Sequence, residues 1–234
     1  MLGALVAAGP AAAEEVVPED PAAQPVAELP SPEGAAAAVE DLPVPAPEPS
    51  GPPEPPEPNP SPYLESGGRV VIELETGSPT APGLREWMPS GLSGSVGSAM
   101  VAGPDGGPAI PWATAPEVAP GISVPVRFTS PGVYHVWVRA WAPNPAGDSL
   151  HVGLDGEVQA LSGYLTTKVY RGWNWFRTRI NYPTARIVVD TPGLHTVHVW
   201  MREDGIHLDR MVLSLSPSAA PSGLGPAASM RAPA

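Results

Sequence analysis

The chain has 234 residues, a formal net charge of −12 and no cysteine. The missing cysteines exclude a disulfide framework, thiolate metal sites and a cysteine nucleophile. Twelve acidic residues and no basic residue precede Arg69, whereas acids and bases balance after it, and Lys168 is the sole lysine. This distribution argues against a nucleic-acid-binding protein, because phosphate recognition requires a basic surface.

The first 13 residues are read as a signal peptide or its remnant. Residues 2–8 form a short apolar run, and residues 11–13 offer a small-residue cleavage site before Glu14. The basic residues that open such a peptide are missing, so an Ala-rich disordered end is the alternative. No apolar run approaches the roughly 20 residues that span a bilayer. We therefore expect a protein secreted or held in the cell envelope, without a transmembrane segment and monomeric.

Residues 14–68 form an acidic linker rich in Pro, Ala and Glu. Proline lacks an amide hydrogen and fixes φ, so neither helix nor sheet propagates through such a sequence. Large apolar side chains are too few to offset the entropy of ordering the chain. We expect a disordered, extended spacer, and a second disordered segment in the Ser/Pro/Ala-rich tail, residues 217–234.

Residues 69–216 change to an alternation of apolar and polar residues that is broken by Gly, Pro, Asn and Asp. This pattern predicts many short antiparallel strands and an all-β sandwich or barrel. The predicted strands are Arg69–Glu75, Ser98–Val101, Ile122–Phe128, Val133–Ala142, Ser149–Leu154, Asn174–Ile180, Ala185–Val189, His195–Arg202 and Leu208–Leu215.

Two of these strands resemble each other: HVWVR at 135–139 recurs as HVWMR at 198–202. Alternate side chains of a strand point to opposite faces, so the apolar residues of each copy share one face. The predicted core-facing sets are Tyr134, Val136, Val138 and Ala140 in the first copy, and Val197, Val199 and Met201 in the second. Trp137 and Trp200 fall on the other face, where we expect structural stacking on arginines of neighbouring strands.

A family resemblance rests on several motifs in a fixed order. These are GVYHVWVRAWAPNPAGDSLHVGLDG from Gly132, then GWNW, then PGLHTVHVWMREDGIHLDRMVLSL. The region resembles galactose-binding-like β-sandwich modules, above all the C-terminal domains of family-115 glycoside hydrolases. More distantly it is similar to carbohydrate-binding modules of families six and thirty-five. The resemblance implies an antiparallel jelly-roll sandwich that binds polysaccharide or glycoconjugate.

The resemblance also implies a structural Ca²⁺ between the first and last strands. Glu73, Glu75 and Asp209 match the acidic positions of that site in the families-six-and-thirty-five type. Clustered carboxylates supply the hard oxygen ligands that Ca²⁺ prefers. Solvent-facing acids or arginine partners are the alternative for the same residues.

Sugar recognition needs flat aromatic faces and nearby polar groups, and loops on a rigid scaffold usually carry binding. Trp112 is a weaker candidate, since residues 102–120 lack the motifs expected of a ligand loop. The predicted ligand-binding residues are Trp141, Trp173, Trp175, Asp148, Asn174, Arg202 and Asp204.

Catalysis by the chain itself is not expected. Ser149 and His151 share a strand face about 7 Å apart, too far for a nucleophile and its base. The adjacent acids Glu203 and Asp204 would point to opposite faces of a strand. Two hypotheses remain open: a non-catalytic carbohydrate-binding module, or a structural or adhesive sandwich that contacts a protein or the cell envelope without a sugar site.

Overall fold

The computed structural model describes residues 60–104 and 106–233. The predicted signal peptide and most of the predicted linker lie outside these residues. Strands dominate the described residues, with a 3₁₀ turn at Leu74–Thr76 and one short helix, α1, at Ala115–Val118. The strands are β1 Tyr63–Leu64, β2 Arg69–Glu73, β3 Ser78–Thr80, β4 Glu86–Ser90, β5 Ala99–Gly103, β6 Gly121–Phe128, β7 Gly132–Trp141, β8 Ser149–Leu154, β9 Leu165–Thr166, β10 Asn174–Phe176, β11 Arg186–Val189, β12 Gly193–Met201 and β13 His207–Ser214.

The described strands form two sheets, which confirms the predicted all-β sandwich. Sheet A has the order β1-β6-β12-β8-β9, with β3 also paired to β6. Sheet B has the order β10-β7-β13-β5-β4, with β11 paired to β7 and β2 paired to β13. The named pairs are antiparallel except for β1 with β6.

The two similar strands lie in different sheets, β7 in sheet B and β12 in sheet A. The residues assigned to their core-facing sides are at most 1% exposed and belong to one hydrophobic core. The prediction of the core from the period-two pattern is therefore confirmed. The same pattern sends Trp137 and Trp200 to the outer faces of their sheets.

A second, smaller core covers the outer face of sheet A. Trp200 is 4% exposed there and stacks on His198, with ring centroids 4.8 Å apart and planes 9° apart. Helix α1 and its flanking loops cover the indole with apolar side chains. The cluster consists of Ile110, Ala115, Ala119, Val158 and Trp200. Trp200 is structural as predicted, but its partner is His198 rather than Arg202.

The ends of the domain differ from the prediction. The fold begins before residue 69, since Tyr63 is 2% exposed and pairs with both β6 and Arg231. The tail from residue 217, predicted to be disordered, lies along sheet B, where Ser229 Oγ accepts from the Val71 amide at 3.0 Å. Hydrogen bonds to its backbone, rather than an apolar stripe, hold this segment, and residue composition does not reveal them.

Within the described ranges, no helix is long and apolar enough to cross a membrane.

Candidate functional site

The predicted tryptophans do not surround one groove. Trp141 packs edge-on against His207, with centroids 5.0 Å apart. The indole N–H of Trp173 donates to the Ser93 carbonyl at 2.8 Å, and that of Trp175 donates to the Gly223 carbonyl at 3.1 Å. The indole N–H groups of Trp173 and Trp175 are thus already hydrogen-bonded to the protein's own backbone.

The predicted polar residues are also engaged within the fold. Asp148 is 4% exposed and accepts from the Thr166 hydroxyl at 2.8 Å and the Tyr170 hydroxyl at 3.0 Å. Burial raises the pKa of Asp148 above its usual value. Asn174 accepts from the Thr167 hydroxyl at 2.9 Å.

Arg202 and Asp204 join loops to sheet A. Arg202 donates to the Ser149 hydroxyl at 2.6 Å and pairs with Glu203. Asp204 is 2% exposed and accepts from the Gly107 amide at 2.8 Å. Of the seven predicted ligand residues, Asn174 and Trp175 share a shallow depression on sheet B, and the structure does not bring the other five to it.

The three predicted calcium ligands do not fit a calcium site. Glu73 is paired with Arg210, and Asp209 is paired with Arg139, so two of the three carboxylates are neutralised by guanidinium groups. In the described part of the chain, no group of three or more His, Cys, Asp or Glu side chains is arranged to hold a metal ion. The arginine partners that the sequence left as the alternative account for Glu73 and Asp209.

A partly open pocket of about 170 Å³ lies between loops that flank strands β8 and β9. We call it the aromatic pocket. Three loops build it: the segment before α1, the β8–β9 loop and the β10–β11 loop. Two of its aromatic rings are open to solvent, Trp112 at 44% and Tyr182 at 58% exposure. The lining residues are Trp112, Gln159, Ala160, Gly163, Tyr164, Arg179 and Tyr182.

His151 of β8 fixes two of these loops. Its Nδ1 accepts from the Tyr164 amide at 3.0 Å, so Nε2 carries the hydrogen and donates to the Ile110 carbonyl at 2.9 Å. Burial lowers the pKa of His151 to about 4. The imidazole is therefore neutral near pH 7, as this pair of hydrogen bonds requires.

Tyr164 adopts the left-handed region, with φ of 61°. The His151 hydrogen bond and a bond from the Ile180 amide to the Tyr164 carbonyl at 2.9 Å hold it there. The ring also packs edge-on against His151, at 5.3 Å between centroids. Such a backbone costs about 1–2 kcal/mol for a residue with a Cβ, so its surroundings fix the orientation of the Tyr164 ring.

Arg179 forms the polar wall of the pocket and is 6% exposed. Its Nε donates to the Gly163 carbonyl at 2.7 Å, and its Nη2 donates to the Ala160 carbonyl at 3.0 Å. Nη1 is buried and has no partner among the described residues. The guanidinium also lies against the Tyr182 ring, 4.8 Å from its centroid. The pocket is thus lined by aromatic faces and by Arg179, whose buried Nη1 lacks an acceptor among the described residues.

The family model described as the glycosyl hydrolase family 115 C-terminal domain matches residues 62–228 of this chain. The chain belongs to this family. This family 115 C-terminal domain is 37% identical, over 116 residues, to uncharacterized protein P23 of Formosa agariphila. That match covers 45% of the chain and 27% of the relative, so the chain spans about a quarter of the relative's length.

Solved structures also align with the family 115 C-terminal domain. One is the GH26-CBM35 β-(1,4)-mannanase of Podospora anserina, at 14% identity and a TM-score of 0.46, covering 66% of this chain and 28% of that one. Another is the C-terminal CBM6 of a marine laminarinase from Zobellia galactanivorans, at 13% identity and a TM-score of 0.44, covering 62% and 98%.

The sequence does not predict most of the aromatic pocket of this family 115 domain. It indicates Trp112 only weakly, because the segment around it is rich in Pro and Gly, and it does not single out Tyr164 or Tyr182. A usable signal was present, since each of these residues lies between predicted strands or strand ends where turn-forming residues cluster. What the sequence does not show is that the three loops meet.

Proposed function

We propose that this domain is a non-catalytic carbohydrate-binding module whose ligand occupies the aromatic pocket. The observation that carries the proposal is the pair of exposed aromatic rings, Trp112 and Tyr182, in a pocket that the Arg179 side chain also lines. Stacking of sugar C–H groups on aromatic faces, combined with a few directed hydrogen bonds, is the chemistry such a site offers. Membership of a family of glycoside-hydrolase C-terminal domains supports the same ligand class.

The size of the pocket favours a single sugar unit. Pockets for drug-sized ligands measure about 300–1,000 Å³, and this one measures about 170 Å³. We therefore propose that it takes one ring at a chain end or branch of a polysaccharide or glycoconjugate. A secreted or cell-envelope location suits such a ligand.

A binding role also suits the side chains that resemble catalytic groups. The Ser149 hydroxyl donates to Glu203 at 2.6 Å and not to His151. His151 has both ring nitrogens engaged, by Ile110 and by Tyr164. Nucleophilic catalysis requires a base within hydrogen-bonding reach of the nucleophile, and this serine and histidine serve the β8 scaffold instead.

Affinity electrophoresis through gels containing neutral or acidic polysaccharides tests the proposal. We expect the native chain to be retarded by at least one polysaccharide. Trp112→Ala and Tyr182→Ala should weaken retention at least about tenfold, which corresponds to about 1.4 kcal/mol. Trp175→Ala, a tryptophan truncation outside the pocket, is the matched control and should bind like the native chain.

Two outcomes would contradict the proposal. One is the absence of retention on every polysaccharide, which would favour the structural or adhesive alternative. The other is loss of retention in Trp175→Ala with full retention in Trp112→Ala, which would move the site to sheet B. Circular dichroism of each variant shows whether the fold is intact.

A further inference from the structure

Two buried arginines lie side by side on the outer face of sheet B. Arg139 of β7 is directly opposite Arg210 of β13, and Arg210 is opposite Glu73 of β2. Both are almost completely buried, Arg139 at 5% and Arg210 at 3% exposure. Buried guanidinium groups are costly unless each charge is paired and each N–H has an acceptor, so their partners determine what they do.

Arg210 connects the first strand of sheet B to the C-terminal tail. Its Nε donates to Glu73 Oε2 at 2.8 Å, and Nη2 donates to the other carboxylate oxygen, which makes the pair bidentate. Its Nη1 donates to the Leu224 carbonyl at 2.7 Å. A single guanidinium therefore binds a strand carboxylate on one side and the tail backbone on the other.

Arg139 makes the same kind of bridge one strand away. It pairs with Asp209, which is fully buried and also accepts from the Val96 amide at 3.0 Å. Its Nε donates to the Gly223 carbonyl at 3.1 Å, and both terminal nitrogens donate to the Gly94 carbonyl, each at 3.1 Å. Neighbouring tail carbonyls, at 223 and 224, are thus held by neighbouring arginines.

This network uses the carboxylates that a cation would need. Ca²⁺ takes six to eight oxygen ligands, with carboxylates supplying most of the charge. Glu73 and Asp209 face guanidinium groups, which leaves Glu75 as the remaining acid. Its Oε1 accepts from the Ser98 amide at 3.3 Å, and its Oε2 is buried without a partner among the described residues, so Glu75 alone is left to face a cation.

We infer that Arg139 and Arg210 form a metal-independent latch that fastens residues 217–233 over sheet B. The two guanidinium groups supply the positive charge that a divalent cation would bring to Glu73 and Asp209, and they bind the tail carbonyls as well. The latched tail also accepts the indole N–H of Trp175 through Gly223.

Hydrogen–deuterium exchange of the full chain, read on peptides from residues 217–233, tests the latch. In the native protein, exchange of the tail should be the same in EDTA and in millimolar CaCl₂, and the melting temperature should not shift with either. Arg210→Gln should speed exchange of the tail about tenfold or more, because a local opening that loses about 1.4 kcal/mol exchanges tenfold faster. Arg127→Gln, on an exposed arginine of sheet A, is the matched control and should match the native protein.

Any of three results would overturn the inference. The first is a native tail that exchanges faster, or a domain that melts lower, in EDTA than in CaCl₂. The second is a folded Arg210→Gln whose tail exchanges like the native one. If Arg210→Gln does not fold, Arg210→Lys replaces it, because lysine keeps the charge but cannot make the bidentate pair and the tail bond together. The third result is a tail that exchanges like the native one in Arg210→Lys.

Discussion

The domain has two aromatic surfaces, and they differ in what faces the rings. In the aromatic pocket, Trp112 is 44% and Tyr182 58% exposed, although Arg179 lies against the Tyr182 ring. On sheet B, Trp173 and Trp175 donate their indole N–H groups to backbone carbonyls, and Arg177 covers the Trp137 ring at 4.4 Å. The comparison shows that the exposure of each ring, rather than the number of rings, distinguishes the proposed binding surface from a structural one.

The largest expected effect comes from breaking the buried ion pair between Arg139 and Asp209 on sheet B. Asp209→Asn keeps an acceptor for the Val96 amide but leaves the Arg139 charge buried without its partner. Breaking a buried ion pair in this way costs about 3–5 kcal/mol. We expect the free energy of unfolding in urea to fall by about that amount and the tail to loosen, while the polysaccharide binding proposed for the aromatic pocket is retained.

Asp155→Asn is the matched control for that experiment. Asp155 pairs with His195 at 2.6 Å, but its side chain is half-exposed, at 51%. Exposed pairs contribute less than about 1 kcal/mol, so this variant should stay close to the native stability. Equal losses in the two variants would contradict the importance given to the buried pair.

The second effect concerns His151, beside the aromatic pocket, and the dependence of the domain's stability on pH. His151 has a pKa of about 4 in the folded chain and 6.5 as the ordinary value. Between these values the unfolded chain binds a proton that the folded chain does not, so the stability due to His151 is complete above pH 6.5 and is lost as the pH falls toward 4. The loss amounts to about 3 kcal/mol.

Urea unfolding at a series of pH values checks this dependence. His151→Gln removes the titration and keeps a donor toward the Ile110 carbonyl, so its stability should fall less steeply below pH 6.5 than that of the native chain. His198→Gln is the comparison variant: burial also lowers the pKa of His198, which lies outside the pocket and is hydrogen-bonded to the Ser123 hydroxyl at 2.9 Å, so its share of the pH dependence is measured separately. A native pH profile unchanged by His151→Gln would show that the buried imidazole does not supply the effect.

The smallest expected effect comes from weakening the contact between the C-terminal tail and sheet B without removing a charge. Gly225 has φ of 81°, and an added Cβ would lie 2.5 Å from Cζ2 of Trp175. Gly225→Ala should therefore weaken the tail by about 1–2 kcal/mol, seen as stronger quenching of tryptophan fluorescence by acrylamide. Leu224→Ala, at a side chain 56% exposed, should quench like the native chain, and equal quenching in both variants would refute the contact.

The parts of the fold that could be predicted are those in which apolar and polar residues alternate along one segment of the chain. Strands β7 and β12 are long and alternate strictly, so their core faces follow from the sequence. Strands β1, β3 and β9 have two or three residues each, too few for any period to show. Their positions depend on pairing with distant strands.

The aromatic pocket and the position of the tail depend on contacts between distant residues, which no single segment of the sequence indicates. The aromatic pocket joins residues from three loops separated by up to 70 positions, so no single segment shows it. The tail is held through main-chain carbonyls at 223 and 224, which every residue possesses. Glu73 and Asp209 were candidates for calcium because acids are visible in a sequence, whereas the arginines that neutralise them are matched to them only by strand register.

The start and the end of the folded domain run beside each other. The Leu64 amide donates to the Met230 carbonyl at 2.8 Å, and the Ala232 amide donates to the Pro62 carbonyl at 2.9 Å. Because the two ends of the domain lie next to each other, the geometry is compatible with insertion of the domain into an exposed loop of another protein. It is also compatible with circular permutation.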